Sequence, residues 1–218
     1  MRKAKEEQCC FDFLTGDEHS MGKVSVIQYN DTKDLILNYH YAGRMPSISY
    51  AYGLFKGGDM VGCVTYGSPA SPRVSEGICG KEHKGKVLEL NRLVLKDNVK
   101  NQASYLIGAS LRMLPKPSIV ISYADTSQDH VGYVYQATNW VYFGLSEKRT
   151  DRIFTDGTKQ KHGRHIISTD VQNINERTKL VPRPRKHRYL MMLGSKTQKR
   201  ELMKSLKYAT HHYPKMFN

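Results

Sequence analysis

The chain has 218 residues and 39% hydrophobic content, enough for one good core with room for an appendage. No apolar run approaches the length of a membrane span, and the opening MRKAKEEQCC lacks the apolar centre of a secretory signal. This argues against an integral membrane protein and leads us to expect a cytoplasmic one. The net charge of +14 is unevenly placed: from Arg177 onward twelve Lys/Arg face one acidic residue, Glu201, a local +11 that leaves +3 for the rest. A basic end on a near-neutral body points to a polyanion partner, the plain alternative being a solubilising role.

In chain order, residues 1–22 are weakly patterned and read as a loose lead-in. Residues 23–194 form the main domain, and 195–218 a basic C-terminal helix packed on it. Val24 and Val26 alternate in a strand over 23–29. Asp31 or Thr32 can cap a short helix reaching Asn38. HYAGRMPS, residues 40–47, is a loop rich in groups that can do chemistry. Strands over 49–55 and 60–66 are joined by KGGD, a hairpin signal. Residues 67–86 carry Pro69, Pro72, Gly77 and Gly80 and read as a long functional or mobile loop.

The run VLELNRLVL, 87–95, has the length of a buried strand. Val99, Ala103, Leu106, Ser110 and Met113/Leu114 then recur at helical spacing. Asp97 or Asn98 can cap that helix, and Pro115 and Pro117 stop it. A strand over 118–123 follows, then a helical face of Val131, Val134, Tyr135 and Thr138, then a strand over 141–145. The order β-α-β-α-β predicts parallel first strands joined by a right-handed crossover. Residues 149–172 are polar, with a possible strand at 165–168. VPRPRKHR is extended and basic, 189–193 is a strand, and Ser195 with Gln198 forms a capping-box pattern for a helix through Lys207. Leu202, Met203 and Leu206 give that helix one apolar stripe. The four cysteines, Cys9, Cys10, Cys63 and Cys79, show no CxxC spacing and read as reduced thiols.

Chemistry concentrates in the central run. Glu89, Asn91 and Arg92 interrupt an apolar strand, and Asp125 follows the carboxyl end of the next one. Open α/β sheets bind ligands beyond those ends. Buried polar groups without partners are costly. The bland reading is a structural Glu–Arg pair and an Asp that caps the following helix. The polar set taken together points to a site.

This element order resembles the GNAT acyltransferase fold: an α/β fold with a central mixed, partly parallel sheet flanked by helices. The donor cradle expected from that resemblance comprises Leu95, Asn98, Lys100, Asn101, Gln102 and Ser104. The glycines usual in such a phosphate loop are missing. More narrowly, HYAGR (40–44), VTYGSPAS (64–71), ELNRLVL (89–95), NQASYLIGASLRML (101–114), SYADTSQDHVGYVYQATNWVYFG (122–144) and KHRYLMMLG (186–194) resemble the Mom family of phage DNA-modification proteins.

That resemblance implies transfer of a carbamoylmethyl group to the exocyclic amine of adenine in double-stranded DNA, which shields phage DNA from host restriction. It implies catalytic roles for His40, Tyr41, Asp125 and Tyr135, with Glu89 a second candidate base. Arg92, Ser110 and Asn139 are the implied substrate contacts. It also implies acetyl-CoA or a related acyl donor, and raises an iron ion held by His40 and Tyr41. Arg183, Arg185, Lys186 and Arg188 are expected to meet DNA phosphates. A target base inside a duplex must be extruded onto stacking surfaces. Tyr133, Trp140, Tyr142 and Phe143 are candidates for these, with most of them expected in the core. Two rival readings are an ordinary N-acetyltransferase acting on a small amine or protein, and a non-catalytic DNA-binding protein. The oligomeric state is not legible.

Overall fold

A computed structural model describes residues 21–155 and 177–215. In chain order the elements are β1 (Lys23–Val26), α1 (Lys33–Tyr39), β2 (Tyr50–Lys56), β3 (Asp59–Gly67), α2 (Pro72–Cys79), β4 (Val87–Leu95), α3 (Gln102–Met113) and β5 (Ser118–Asp125). Then come α4 (Tyr133–Ala137), β6 (Val141–Leu145), β7 (Thr150–Phe154), β8 (Thr178–Pro182), β9 (Lys186–Leu193) and α5 (Lys196–Lys204). Seven strands form one mixed sheet in the order β1-β2-β3-β4-β5-β9-β6, and β7 pairs with β8 in a separate two-stranded sheet. The strand–helix–meander–crossover order expected from the sequence is present. Strands β1 to β4 are antiparallel neighbours, and β4 and β5, joined through α3, are parallel.

One face of the sheet packs on α3 and α4, through Leu106, Ile107, Leu111 and Tyr135 against Leu54, Val64, Leu90 and Val120. The other face carries two clusters. Leu35 and Ile36 of α1 pack with Ala51, Cys63 and Val94. Ile78 of α2 and Leu202 of α5 pack with Ile119, Ile121, Phe143 and Leu190. Trp140, Tyr66, Tyr189 and Phe143 are fully buried, and each such side chain contributes roughly 1.5–3 kcal/mol by leaving water.

Two irregularities in this sheet create the site. The ladder between β3 and β4 shifts between Thr65 and Tyr66, which pair with Arg92 and Leu90 and leave Asn91 as a bulge. A bulge inserts one residue and so reverses the alternation beyond it. Leu88 and Leu90 before the bulge, and Leu93 and Leu95 after it, therefore all pack on the α3 face. Glu89 and Arg92 consequently share the opposite face, between the α1 cluster and the α2/α5 cluster. The second irregularity is that the parallel β4–β5 ladder runs only from Val87↔Ile119 to Glu89↔Ile121, although both strands continue.

Several local expectations are corrected. The segment 67–86 is not an open loop: it holds α2 and a 3-10 turn over Lys81–Lys86. Pro72 sits in the first turn of α2, where its missing N–H costs nothing. Asp97 and Asn98 do not cap α3, because the N-cap is Asn101 and no side chain bonds there. Neither Asp31 nor Thr32 caps α1: Asp31 accepts from the Gln28 N–H, and Thr32 donates to the Tyr29 carbonyl. The capping box of Ser195 and Gln198 is present, but α5 ends at Lys204. The KGGD hairpin has φ of 61° and 95° at Gly57 and Gly58, a conformation open to glycine. Cys63 and Cys79 are buried free thiols. The possible strand at 165–168 and residues 1–20 of the expected lead-in lie outside the described residues.

Candidate active site

Where the β4–β5 ladder stops, side chains replace it. Ser122 Oγ lies 2.9 Å from the Leu90 carbonyl and 2.8 Å from the Tyr135 hydroxyl. A hydroxyl has one proton and the carbonyl can only accept, so Ser122 donates to Leu90 and Tyr135 donates to Ser122. Burial pushes the Tyr135 phenol up to about 12, against the opposing Ser122 hydrogen bond, so it remains protonated at neutral pH. Gly132, the N-cap of its helix, has φ 81°, and a Cβ there would lie 2.3 Å from the Tyr189 ring.

Glu89 stands at the end of the ladder. Burial raises its carboxyl above the usual range, opposed by Lys186, the Ala70 backbone N–H and Arg92. Among the described residues no ion pair joins Glu89 to Arg92. Instead Arg92 donates to the carbonyls of Asn91 at 2.6 Å and Arg44 at 3.0 Å. Its Nε–H is buried and has no partner among the described residues. An unsatisfied buried donor costs about 1–3 kcal/mol. Asn91, the bulge residue, accepts from Thr65 at 2.6 Å and donates to the Ser47 carbonyl at 2.7 Å. It thereby ties the 40–49 loop to the sheet.

Asp125 has a different character. Despite the opposing effect of partial burial, its carboxyl is held below the usual range by Ser127 and Lys186. The Ser127 N–H and hydroxyl donate at 3.0 and 2.7 Å, and Lys186 Nζ lies at 3.1 Å. Asp125 caps a 3-10 turn over Thr126–Gln128. The expected capping role is therefore real, although it serves this turn and not the next α-helix.

The HY pair approaches from α1. His40 and Tyr41 stack with centroids 4.4 Å apart, and Tyr41 meets His130 edge-on at 6.1 Å. The Ala42 N–H donates to His40 Nδ1 at 3.0 Å, which makes His40 a neutral Nε2–H tautomer. Burial, Arg92 and His130 lower its pKa to about 4. This donor arrangement does not suit the suggested iron. A histidine bound to a metal through Nε2 carries its proton on Nδ1 and needs an acceptor there, whereas Nδ1 here faces an N–H. Among the described residues no three His, Cys, Asp or Glu side chains gather as a metal cluster.

The proposed donor cradle lies at the start of α3, at the same end of the parallel pair as Asp125. Asn101 has φ 67°, the left-handed conformation otherwise taken by glycine. No side chain caps the helix, Lys100 beside it is exposed, and the Gln102 N–H is taken by the Val99 carbonyl at 3.2 Å. Helix N-termini of this kind receive phosphate. A left-handed Asn101 and an exposed lysine at an uncapped helix start are compatible with a pyrophosphate, although the usual glycines are missing. Asn98 is exposed, Gln102 is buried, Ser104 Oγ donates to the Asn101 carbonyl, and Leu95 packs against the core.

Other expected site residues are drawn elsewhere. Ser110 is fully buried between the Tyr66 hydroxyl and the Ile107 carbonyl, a core position and not a substrate contact. Its helix face points into the sheet. Asn139 lies in a left-handed turn after α4, lining a cavity of about 330 Å³ with Trp140, Tyr142 and His211. The basic run is heavily committed to protein partners. Arg183 forms a two-pronged pair with Asp151, and Arg185 donates to the Ser146 carbonyl. Lys186 pairs with Asp125, while Arg188 lies 4.7 Å above both the Phe143 and Tyr208 rings. Of the suggested stacking residues, Trp140, Tyr142 and Phe143 are buried and Tyr133 is exposed. Ser122 and His130 escaped the sequence reading, and the polar run QDHV was the available signal for His130. Asn91 was read there only as one of the polar residues in the strand, without a role.

Among the described residues no helix is long and apolar enough to cross a membrane. The chain resembles two solved acetyltransferases in backbone. One, of the GNAT family from Bacillus cereus, has a TM-score of 0.43 and 11% identity, with 79% of this chain and 98% of that one covered. The other, from Bacillus subtilis in complex with CoA, has a TM-score of 0.44 and 12% identity, with 79% and 99% covered. By sequence it is 26% identical over 196 residues to the methylcarbamoylase Mom of Escherichia phage Mu, covering 84% of this chain and 79% of that protein. The model of the Mom protein family matches residues 22–215, and the chain belongs to that family.

Proposed function

We propose that this chain transfers a carbamoylmethyl group to the exocyclic amine of adenine in double-stranded DNA, protecting phage DNA from host restriction. As a member of its family the chain is a transferase. The observation that carries the finer reading is the placement, on one face of a broken ladder, of a partly buried Glu89 with raised proton affinity and an Arg92 whose buried Nε–H has no partner among the described residues.

The adenine amine is a weak nucleophile because its lone pair is delocalised into the ring. As its nitrogen bonds to the methylene carbon of the incoming group, it must lose a proton, while the bond between that carbon and the donor's leaving group breaks and the leaving group departs with the electron pair. Glu89 accepts that proton, since burial makes it the more basic of the two carboxylates. Arg92 Nε–H donates to the carbonyl oxygen of the transferred acetamide unit and fixes its orientation. Asp125, low in proton affinity, stays ionised and holds Lys186 and the 126–130 turn in place. Tyr135 and Ser122 bridge the opening between β4 and β5. The start of α3, with Lys100 and Asn101, would hold the pyrophosphate of a donor related to acetyl-CoA, and that donor would supply a methylene carbon that carries the leaving group, which a plain acetyl group lacks.

Restriction sensitivity tests this reading. DNA from cells expressing the chain should resist endonucleases whose sites contain adenine and remain cleavable by those whose sites contain only G and C. Full sensitivity to both would remove the DNA-modification reading. Acetylated amines or proteins in the same cells would then favour an ordinary acetyltransferase.

A further inference from the structure

Resting on the adenine reading, the surface that receives the extruded base can be identified. A base taken out of a duplex needs a flat partner to replace its lost stacking. Most aromatic side chains around the broken ladder are unavailable: Tyr135, Trp140, Tyr142 and Phe143 are buried, and Tyr66 and Tyr189 are enclosed in the core. Among the described residues Tyr133 and Tyr50 are also exposed, but Tyr41, with 58% of its surface exposed, is the one that stacks on His40 and neighbours Arg92.

Its exposed ring is held in place from several directions. His40 covers it at 4.4 Å with the planes 28° apart, and His40 is itself anchored by the Ala42 N–H. Both residues follow directly from α1, whose Leu35 and Ile36 are buried in the sheet. His130, whose backbone N–H donates to the Asp125 carbonyl, meets the Tyr41 ring edge-on at 6.1 Å. Electrostatically Tyr41 is a neighbour of both Arg92 and Tyr135. An exposed ring fixed by a second ring, and joined to both loops that border the site, is preorganised to stack on a planar ligand. We propose that the Tyr41 ring, backed by His40, is the stacking platform for the extruded adenine, and that it selects an unpaired base over a paired one.

The test compares two fluorescein-labelled duplexes, one with an adenine opposite an abasic site and the other with that adenine paired to thymine. The parent, Tyr41→Phe and Tyr41→Leu are measured by anisotropy at one salt concentration, after confirming that all three melt together. Loss of one stacked base weakens binding roughly five- to hundredfold. The expected result is that Tyr41→Leu loses this factor on the abasic-site duplex and little on the paired one, while Tyr41→Phe binds both like the parent. Equal binding by Leu and parent would overturn the proposal, as would equal losses on the two duplexes or a Phe variant as weak as Leu. Those results would leave the DNA reading standing provided the parent binds DNA. A parent that binds neither duplex would contradict the DNA reading and this proposal together. If Tyr41→Leu melts early, Tyr41→Ser replaces it under the same criteria.

Discussion

Replacing Glu89 by Gln separates chemistry from folding. The amide keeps the shape of the side chain and an acceptor for the Ala70 N–H, but it cannot take a proton. Removing a general base costs about 10²- to 10⁴-fold in rate. Stability should move differently. Burial outweighs the attraction of Lys186 and Arg92 and leaves the Glu89 carboxyl raised, so ionising it works against the fold. As pH rises through that raised value, the parent loses stability relative to the Gln variant. At pH 8 the variant should therefore melt no lower than the parent.

Asp125→Asn should behave in the opposite way. Its carboxyl is depressed by Ser127 and Lys186 despite partial burial, so its charge favours the fold above the ordinary carboxylate range. That contribution fades as pH falls through the depressed value. Loss of the cap and the ion pair should cost about 1 kcal/mol, or about 3 °C in Tm for a chain of this size. Modification rates by nucleoside analysis and melting curves at pH 5 and pH 8 read both variants. A fully active Glu89→Gln would refute Glu89 as the base. An inactive Asp125→Asn with parental stability would transfer that role to Asp125.

Two further outcomes follow from the same geometry. His40, with its pKa lowered to about 4, should show no imidazole titration near 6.5 by NMR. It should contribute stability above pH 6.5 that is lost as pH falls towards 4, and a titration at 6.5 would contradict the neutral Nε2–H assignment. Arg188→Ala removes two ring contacts and two hydrogen bonds to the Phe143 and Gly144 carbonyls. It should cost about 2 kcal/mol and leave the salt dependence of DNA binding unchanged, whereas a slope reduced by about 0.9 would mean that Arg188 contacts a phosphate.

The strands and helices around the crossover were legible because their apolar spacing is regular and their stops are prolines. The α2 helix was hidden because Pro72 and Gly77 read as loop residues, although a proline in a first turn suits a helix. The pairing of β7 with β8 joins segments far apart in sequence and has no local signal. The site was half legible. Glu89, Arg92 and Asp125 stood out as polar residues in an apolar run, but simple alternation places Glu89 and Arg92 on opposite faces. The bulge at Asn91 brings them together, and no periodicity reveals a bulge. The surroundings of the basic run were illegible for a related reason. Composition counts charges, and only the fold shows that Arg183, Arg185, Lys186 and Arg188 have partners within the protein.

Mass spectrometry of nucleosides from DNA of cells expressing the parent or Glu89→Gln bears most directly on the central claim. The expected result is a deoxyadenosine carrying one carbamoylmethyl group in the parent DNA, and its absence or near absence in the Glu89→Gln DNA at equal protein levels. Unmodified deoxyadenosine in the parent DNA would contradict the proposed reaction, and equal modification in both samples would contradict the proposed base.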